Sequence, residues 1–234
     1  MSSRTPLILL PGLLCDRALW EPQIAALADV AEMAVGDLTH DDSVAGMARS
    51  VLQAAPERFA LAGFSMGGYV SLEIMRQAPE RVLRLALLDT SARPDTPEQT
   101  AARRALMSLC EVGEFKGVTP RLLPRWVHPS RLGDKALAET VMAMTGRVGR
   151  DAFLRQQTAI IGRPDSRPGL SRIQCPTLVL CGREDEVTPV ELHREMAADI
   201  PNAHLVVVPE CGHLSPLERP EQVNAALRRW LSED

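Results

Sequence analysis

A chain of 234 residues, 45% apolar and 24% charged, has the size and balance of one soluble α/β domain with room for an insertion. A net charge of −4 and only 3% aromatic residues argue against nucleic-acid binding, which needs concentrated Lys and Arg and stacking platforms. No run approaches the roughly 20 apolar residues of a membrane span. The apolar stretch Pro6 to Leu14 is broken by Pro11-Gly12 and is too short for a signal-peptide core. The five cysteines (Cys15, Cys110, Cys175, Cys181 and Cys211) are scattered and odd in number, without zinc-site spacing. They read as free thiols, and the chain reads as cytoplasmic.

In chain order, Leu7 to Leu10 is a short apolar run closed by Pro11-Gly12, a buried strand and its loop. Trp20 to Leu27 has helical spacing, and Val30 to Val35 is a second strand ended by Gly36-Asp37. Ser43 fits a helix N-cap, with Val44, Met47, Val51 and Leu52 following on one face. Phe59 to Ala62 is the third strand, Met66 to Ala78 the helix after it, and Leu83 to Leu88 the fourth strand. The alternation predicts a mostly parallel sheet with helices on both faces.

After Ser91 the rhythm changes. From Ala92 to Pro168 no strand is legible, and helical stretches are broken by Pro94, Pro97, Pro120, Pro124, Pro129 and Pro164. The alternation resumes with Thr177 to Cys181 (strand), Pro189 to Ala198 (helix), His204 to Val208 (strand) and Pro220 to Leu231 (helix). An excursion of this length is too long for a connection. It predicts a helical cap or lid at 92–168 inserted into a core of 1–91 and 169–234. The insertion holds 13 Lys and Arg against 8 Asp and Glu, whereas the rest of the chain is net negative. A cationic lid would draw an anionic substrate; ordinary variation of a solvated helical surface would look the same.

Gly63-Phe64-Ser65-Met66-Gly67 lies between a strand and a helix. A serine on such a tight turn is strained and pushed into the cleft at the carboxyl edge of the sheet, beside N–H groups at a helix N-terminus. A hydroxyl at neutral pH needs a base. Of five histidines, His213 follows the last strand at that same edge. His204 is at the opposite end of that strand and His193 is inside a helix, both read as surface or packing residues. His40 and His128 are placed to touch a substrate but not to act as base. The base needs an acid to orient it. After the strand Thr177 to Cys181, Gly182 should turn Asp185 inward and leave Glu184 and Glu186 toward solvent; Asp89, ending the fourth strand, is the alternative acid.

With Ser65, Asp185 and His213 in that order, the Gly182-x-x-Asp185-x-x-x-Pro189 stretch and the Gly212-His213 pair, the sequence resembles the α/β-hydrolase superfamily over nearly its whole length. The resemblance implies an α/β-hydrolase fold whose lid follows the sixth of eight family strands, this chain beginning at the third. It also implies oxyanion donors in the backbone N–H groups of Leu13 and Met66. Pro11-Gly12 stands where the family carries His-Gly.

The expected reaction is cleavage of a carboxylic ester of small or medium size through an acyl-enzyme on Ser65, without metal or cofactor. Alternatives are an enol-lactonase, a carbon–carbon bond hydrolase or lyase, a perhydrolase, and, outside enzymes, a ligand-binding receptor with a vestigial site. A dehalogenase would need a carboxylate at position 65. In the lid, Leu106, Met107, Leu109, Leu122, Leu123, Trp126, Met142 and Met144 are candidates for an apolar ceiling. Arg147, Arg150, Arg155 and Arg163 are candidates for a carboxylate clamp.

Overall fold

The computed structural model describes residues 4–112, 115 and 117–232, so Gly113, Glu114 and Lys116 of the insertion lie outside the described residues. Its strands are β1 (Thr5–Leu10), β2 (Ala31–Val35), β3 (Phe59–Phe64), β4 (Val82–Leu88), β5 (Thr177–Gly182) and β6 (Ala203–Val208). They form one sheet in the order β2-β1-β3-β4-β5-β6, and every pairing is parallel. The helices are α1 (Glu21–Leu27), α2 (Val44–Ala54), α3 (Met66–Gln77), α4 (Pro97–Val112), α5 (Lys135–Ile161), α6 (Val190–Asp199), α7 (Ser215–Glu218) and α8 (Pro220–Ser232).

Side chains alternate across a strand, so an apolar run buried on both faces feeds two cores. Leu7, Leu9, Ala60, Ala62, Ala86, Leu88, Leu178 and Leu180 point to the layer that holds Leu27, Val223, Leu227 and Trp230 of α1 and α8. Ile8, Leu10, Phe59, Leu61, Leu85, Leu87 and Val179 point to the other layer, with Met47 and Val51 of α2, Val70 and Ile74 of α3, and Met196 of α6. This two-sided burial makes the strands read as continuous hydrophobic runs. Helix starts follow local chemistry: the Ser43 Oγ accepts the Gly46 N–H at 3.1 Å, as its N-cap position requires. The third strand runs two residues beyond the expected Ala62, to Phe64, which places Ser65 directly on the turn.

Between β4 and β5, residues 92–168 contain no strand among the described residues. α4 packs against α5, and α5 kinks at Gly149, whose φ of 76° and ψ of 177° are not helical. The buried side chains Val118, Leu123, Val127, Leu137, Val141, Met144 and Phe153 join the cluster that contains Leu7, Leu14 and Trp20. Residues 92–168 thus extend that layer over the sheet, while Ala159 and Ile160 join the opposite layer.

The sheet register aligns Leu10 with Gly63, Phe64 with Leu88, Leu88 with Leu180 and Gly182 with Val208. The loops that follow β1, β3, β4, β5 and β6 thus leave from one edge. Leu13, Ser65, Asp89, Asp185 and His213 are all on them.

Candidate active site

Ser65 has φ 51° and ψ −115°, a conformation costing about 1–3 kcal/mol for a residue with a side chain. Neighbours hold it there. Its N–H donates to the Leu88 carbonyl at 2.9 Å, and its own carbonyl accepts the Gly68 N–H at 2.9 Å and the Thr90 hydroxyl at 2.7 Å. The close approach demands glycine: a β-carbon on Gly67 would stand 2.3 Å from the Leu10 carbonyl oxygen.

His213 Nε2 lies 3.1 Å from Ser65 Oγ, and Nδ1 lies 2.8 Å from Asp185 Oδ2. Asp185 accepts at Nδ1, so the proton belongs on that nitrogen and Nε2 is free to accept from Ser65. The His213 and Asp185 side chains are almost fully buried, and the imidazole packs beside Phe64 with ring centroids 5.2 Å apart. Asp185 Oδ1 accepts the N–H groups of Val187 at 2.8 Å and Thr188 at 3.0 Å, and Oδ2 accepts the Thr188 hydroxyl at 2.7 Å. Burial pushes this carboxyl up, but the His213 imidazole and the Thr188 bonds outweigh it and hold it below 3.8. Glu184 and Glu186 are exposed, and Glu184 Oε2 accepts the Cys211 N–H at 3.0 Å.

Asp89, the alternative acid, is fully buried and engaged elsewhere. Its Oδ1 accepts the Gly182 N–H at 2.9 Å and its Oδ2 meets the Ser215 hydroxyl. Burial and then the negative charge of Asp185 push the Asp89 carboxyl well above 3.8, which favours a neutral acid.

The loop after β1 reaches the serine. A β-carbon on Gly12 would stand 3.3 Å from Ser65 Cβ, so Leu13 follows a residue in contact with Ser65. Among the described residues, the Leu13 and Met66 N–H groups enter no turn, loop or cap hydrogen bond. Gln156, buried in α5, steadies this loop by accepting the Leu14 N–H at 3.0 Å and donating to the Leu38 carbonyl at 3.2 Å.

The remaining histidines separate clearly. His204 and His40 are exposed, and His40 sits 3.1 Å from Asp37. His128 bonds locally to Ser130 at 2.7 Å. His193 is fully buried; its Nε2 accepts the Thr90 N–H at 2.9 Å, leaving Nδ1–H toward the Pro189 carbonyl at 3.3 Å. Burial pushes its imidazole down to about 4, so it is neutral near pH 7. It links α6 to Thr90, and through the Thr90 hydroxyl to Ser65.

Residues 92–168 correct part of the expectation. Arg163 is no free clamp: its side chain is buried, donates to Asp95 at 2.7 Å and to the Arg93 and Ile160 carbonyls, and stacks over Tyr69 at 4.3 Å. Arg147 pairs with Asp16 at 2.6 Å, and Arg155 donates to the Thr39 carbonyl at 2.8 Å. With Arg150 they line an open cleft of about 340 Å³ beside Thr39 and Gly149. The apolar ceiling is not formed as read. Leu106, Leu109 and Leu122 are exposed, whereas Leu123 and Met144 are core residues. Half-buried Trp126 contributes through its backbone, its carbonyl accepting the His213 N–H at 2.7 Å. The sequence does not mark Gln156, Thr90 or Glu218, and it gives His193 only as a surface or packing residue. Among the described residues no three His, Cys, Asp or Glu side chains gather as metal ligands would.

A six-stranded parallel sheet with a serine on a strained strand-to-helix turn, an imidazole and a carboxylate at one edge defines a class of hydrolase-type α/β proteins. The chain belongs to the alpha/beta hydrolase family, whose model matches residues 7–226. It is 28% identical to a pimeloyl-[acyl-carrier protein] methyl ester esterase of Nitrosomonas europaea over 92% of this chain and 91% of that protein. Among solved structures it is similar to a thermophilic esterase from Thermogutta terrifontis, with TM-score 0.88, 30% identity and coverage of 98% of this chain and 90% of that one. The enol-lactonase from Burkholderia xenovorans LB400 shares the fold, with TM-score 0.89 at 23% identity, over 99% and 93% of the two chains. No helix among the described residues is long and apolar enough to cross a membrane.

Proposed function

We propose that this hydrolase cleaves a carboxylic ester of a small or medium-sized substrate through an acyl-enzyme on Ser65. The observation that carries the reading is the unbroken line from Asp185 through His213 to Ser65 Oγ, at 2.8 Å and 3.1 Å. His213 Nε2 takes the Ser65 proton as Oγ attacks the ester carbonyl, and Asp185 stabilises the imidazolium. The tetrahedral oxyanion is received by the Leu13 and Met66 N–H groups, each such donor being worth about 10²–10³ in rate. The proton on Nε2 passes to the departing alkoxide and an alcohol leaves. His213 then deprotonates a water that attacks the acyl carbonyl, and the proton returns to Ser65 as the acid departs. The relative named as a methyl ester esterase supports an ester over a lactone.

The test is a panel of esters, lactones and thioesters with the wild-type protein and Ser65→Ala. We expect p-nitrophenyl butyrate turnover to fall at least about 10⁴-fold in the variant with the fold retained. A folded Ser65→Ala variant with full activity would contradict the reading.

A further inference from the structure

The α7 carboxylate of Glu218 is fully buried and has no part in the proposed bond-making steps. Its Oε1 accepts the Leu214 N–H at 2.9 Å, and its Oε2 accepts the N–H groups of Gly212 at 3.1 Å and His128 at 2.7 Å. Two of these donors are the residues on either side of His213; the third belongs to the cap. A second set of bonds runs the other way. The Trp126 carbonyl accepts the His213 N–H at 2.7 Å and the Leu214 N–H at 3.3 Å, and the Arg131 guanidinium donates to the Glu218 backbone carbonyl.

We propose that Glu218 is a positioning residue that locks the loop carrying His213 to the Trp126–His128 segment of the cap, so that the seating of the cap sets the aim of the imidazole at Ser65. This rests on Ser65 and His213 being nucleophile and base. A carboxylate in a dry site stays where its hydrogen bonds are, because leaving them unmade is costly. Held by one rigid acceptor group on both sides and by Trp126 in the middle, the 212–214 backbone has little freedom to turn. The transfer from Ser65 Oγ tolerates little misplacement, about 1 Å costing roughly 100-fold in rate.

The bond from the cap can be broken at its donor, where a proline ring also presses on the Glu218 Oε2 that lies 2.7 Å from the nitrogen. His128 has φ −55°, which suits a proline ring, and proline lacks the N–H. His128→Pro removes the donor, while His128→Ala keeps it and loses the same imidazole. Glu218→Gln replaces one carboxylate oxygen by an amide NH₂ facing N–H donors. We expect kcat for p-nitrophenyl butyrate about tenfold lower in the Pro than in the Ala variant, with KM within about threefold. Glu218→Gln should lose about 100-fold in kcat, and fluorophosphonate capture of Ser65 should slow in parallel.

Equal kcat in the Pro and Ala variants, with an active wild type, would overturn the positioning role and leave the functional reading standing. If one of His128→Pro and Glu218→Gln fails to fold, the other decides; failure of both would overturn the proposal by making Glu218 a requirement of the fold. A wild type that neither hydrolyses an ester nor is captured removes the functional reading and this inference with it.

Discussion

Asp89 and Asp185 end neighbouring strands, yet their surroundings push them in opposite directions. Asp185 accepts four hydrogen bonds, one from His213, and is held toward its charged form; Asp89 is buried beside that charge and pushed toward the neutral acid. The consequences for stability have opposite signs. Asp185, with its native pKa lowered, stabilises the fold above about pH 4 and loses that contribution as pH falls through its native value. Asp89, with its native pKa raised, holds a proton that the unfolded chain releases, so its contribution is lost as pH rises from about 4 through its native value. Asp89→Asn, which mimics the neutral acid, should melt at least as hot as wild type at pH 8 and gain on it as pH rises from 4. It should keep activity within about fivefold, whereas Asp185→Asn should lose about 10³-fold or more. Thermal melts and kcat/KM across pH 4–9 check both; an inactive, folded Asp89→Asn would reverse the assignment of the acid. For this choice no single mark is legible in the sequence beyond the position of Gly182. Ser65 and His213 were legible because each sits on a motif next to a strand. Glu218, Thr90 and Gln156 were not, since each bonds a backbone group brought in from 25 to 142 residues away, and such a partner leaves no local period.

Among elements, the strand–serine–helix turn is the most constrained. Gly67 lets α3 approach β1 so closely that a methyl group would collide with the Leu10 and Pro11 carbonyls rather than with a flexible side chain. Gly67→Ala should destabilise by about 3 kcal/mol and displace Ser65, lowering both the melting temperature and turnover; an unchanged melting temperature would show that the turn yields. The central strands β1, β3, β4 and β5 were legible as apolar runs that fill two cores. The cap was legible only as helical and Pro-broken. Its 27-residue α5 is interrupted at Gly149, and Pro120, Pro124 and Pro129 fall in short turns whose burial depends on the sheet below. That tertiary cover explains why the exposed Leu106 and Leu109 could not be told from the buried Leu123 and Met144 by residue type.

Across the whole molecule, residues 92–168 share the two core layers of the sheet, and the candidate site lies where five loops leave the same edge. The positive surplus of residues 92–168 is partly neutralised by carboxylates outside that segment: Arg147 pairs with Asp16 and Arg93 with Glu195. An acyl-enzyme chemistry requires that Ser65 be more nucleophilic than every other hydroxyl in the chain. Incubation with a fluorophosphonate probe, followed by mass spectrometry of the digested protein, measures this directly. One adduct on the peptide containing Ser65, slowed at least about 10²-fold in His213→Ala, is the expected result. An unmodified Ser65 in folded, wild-type protein, or capture equally fast without the imidazole, would contradict it.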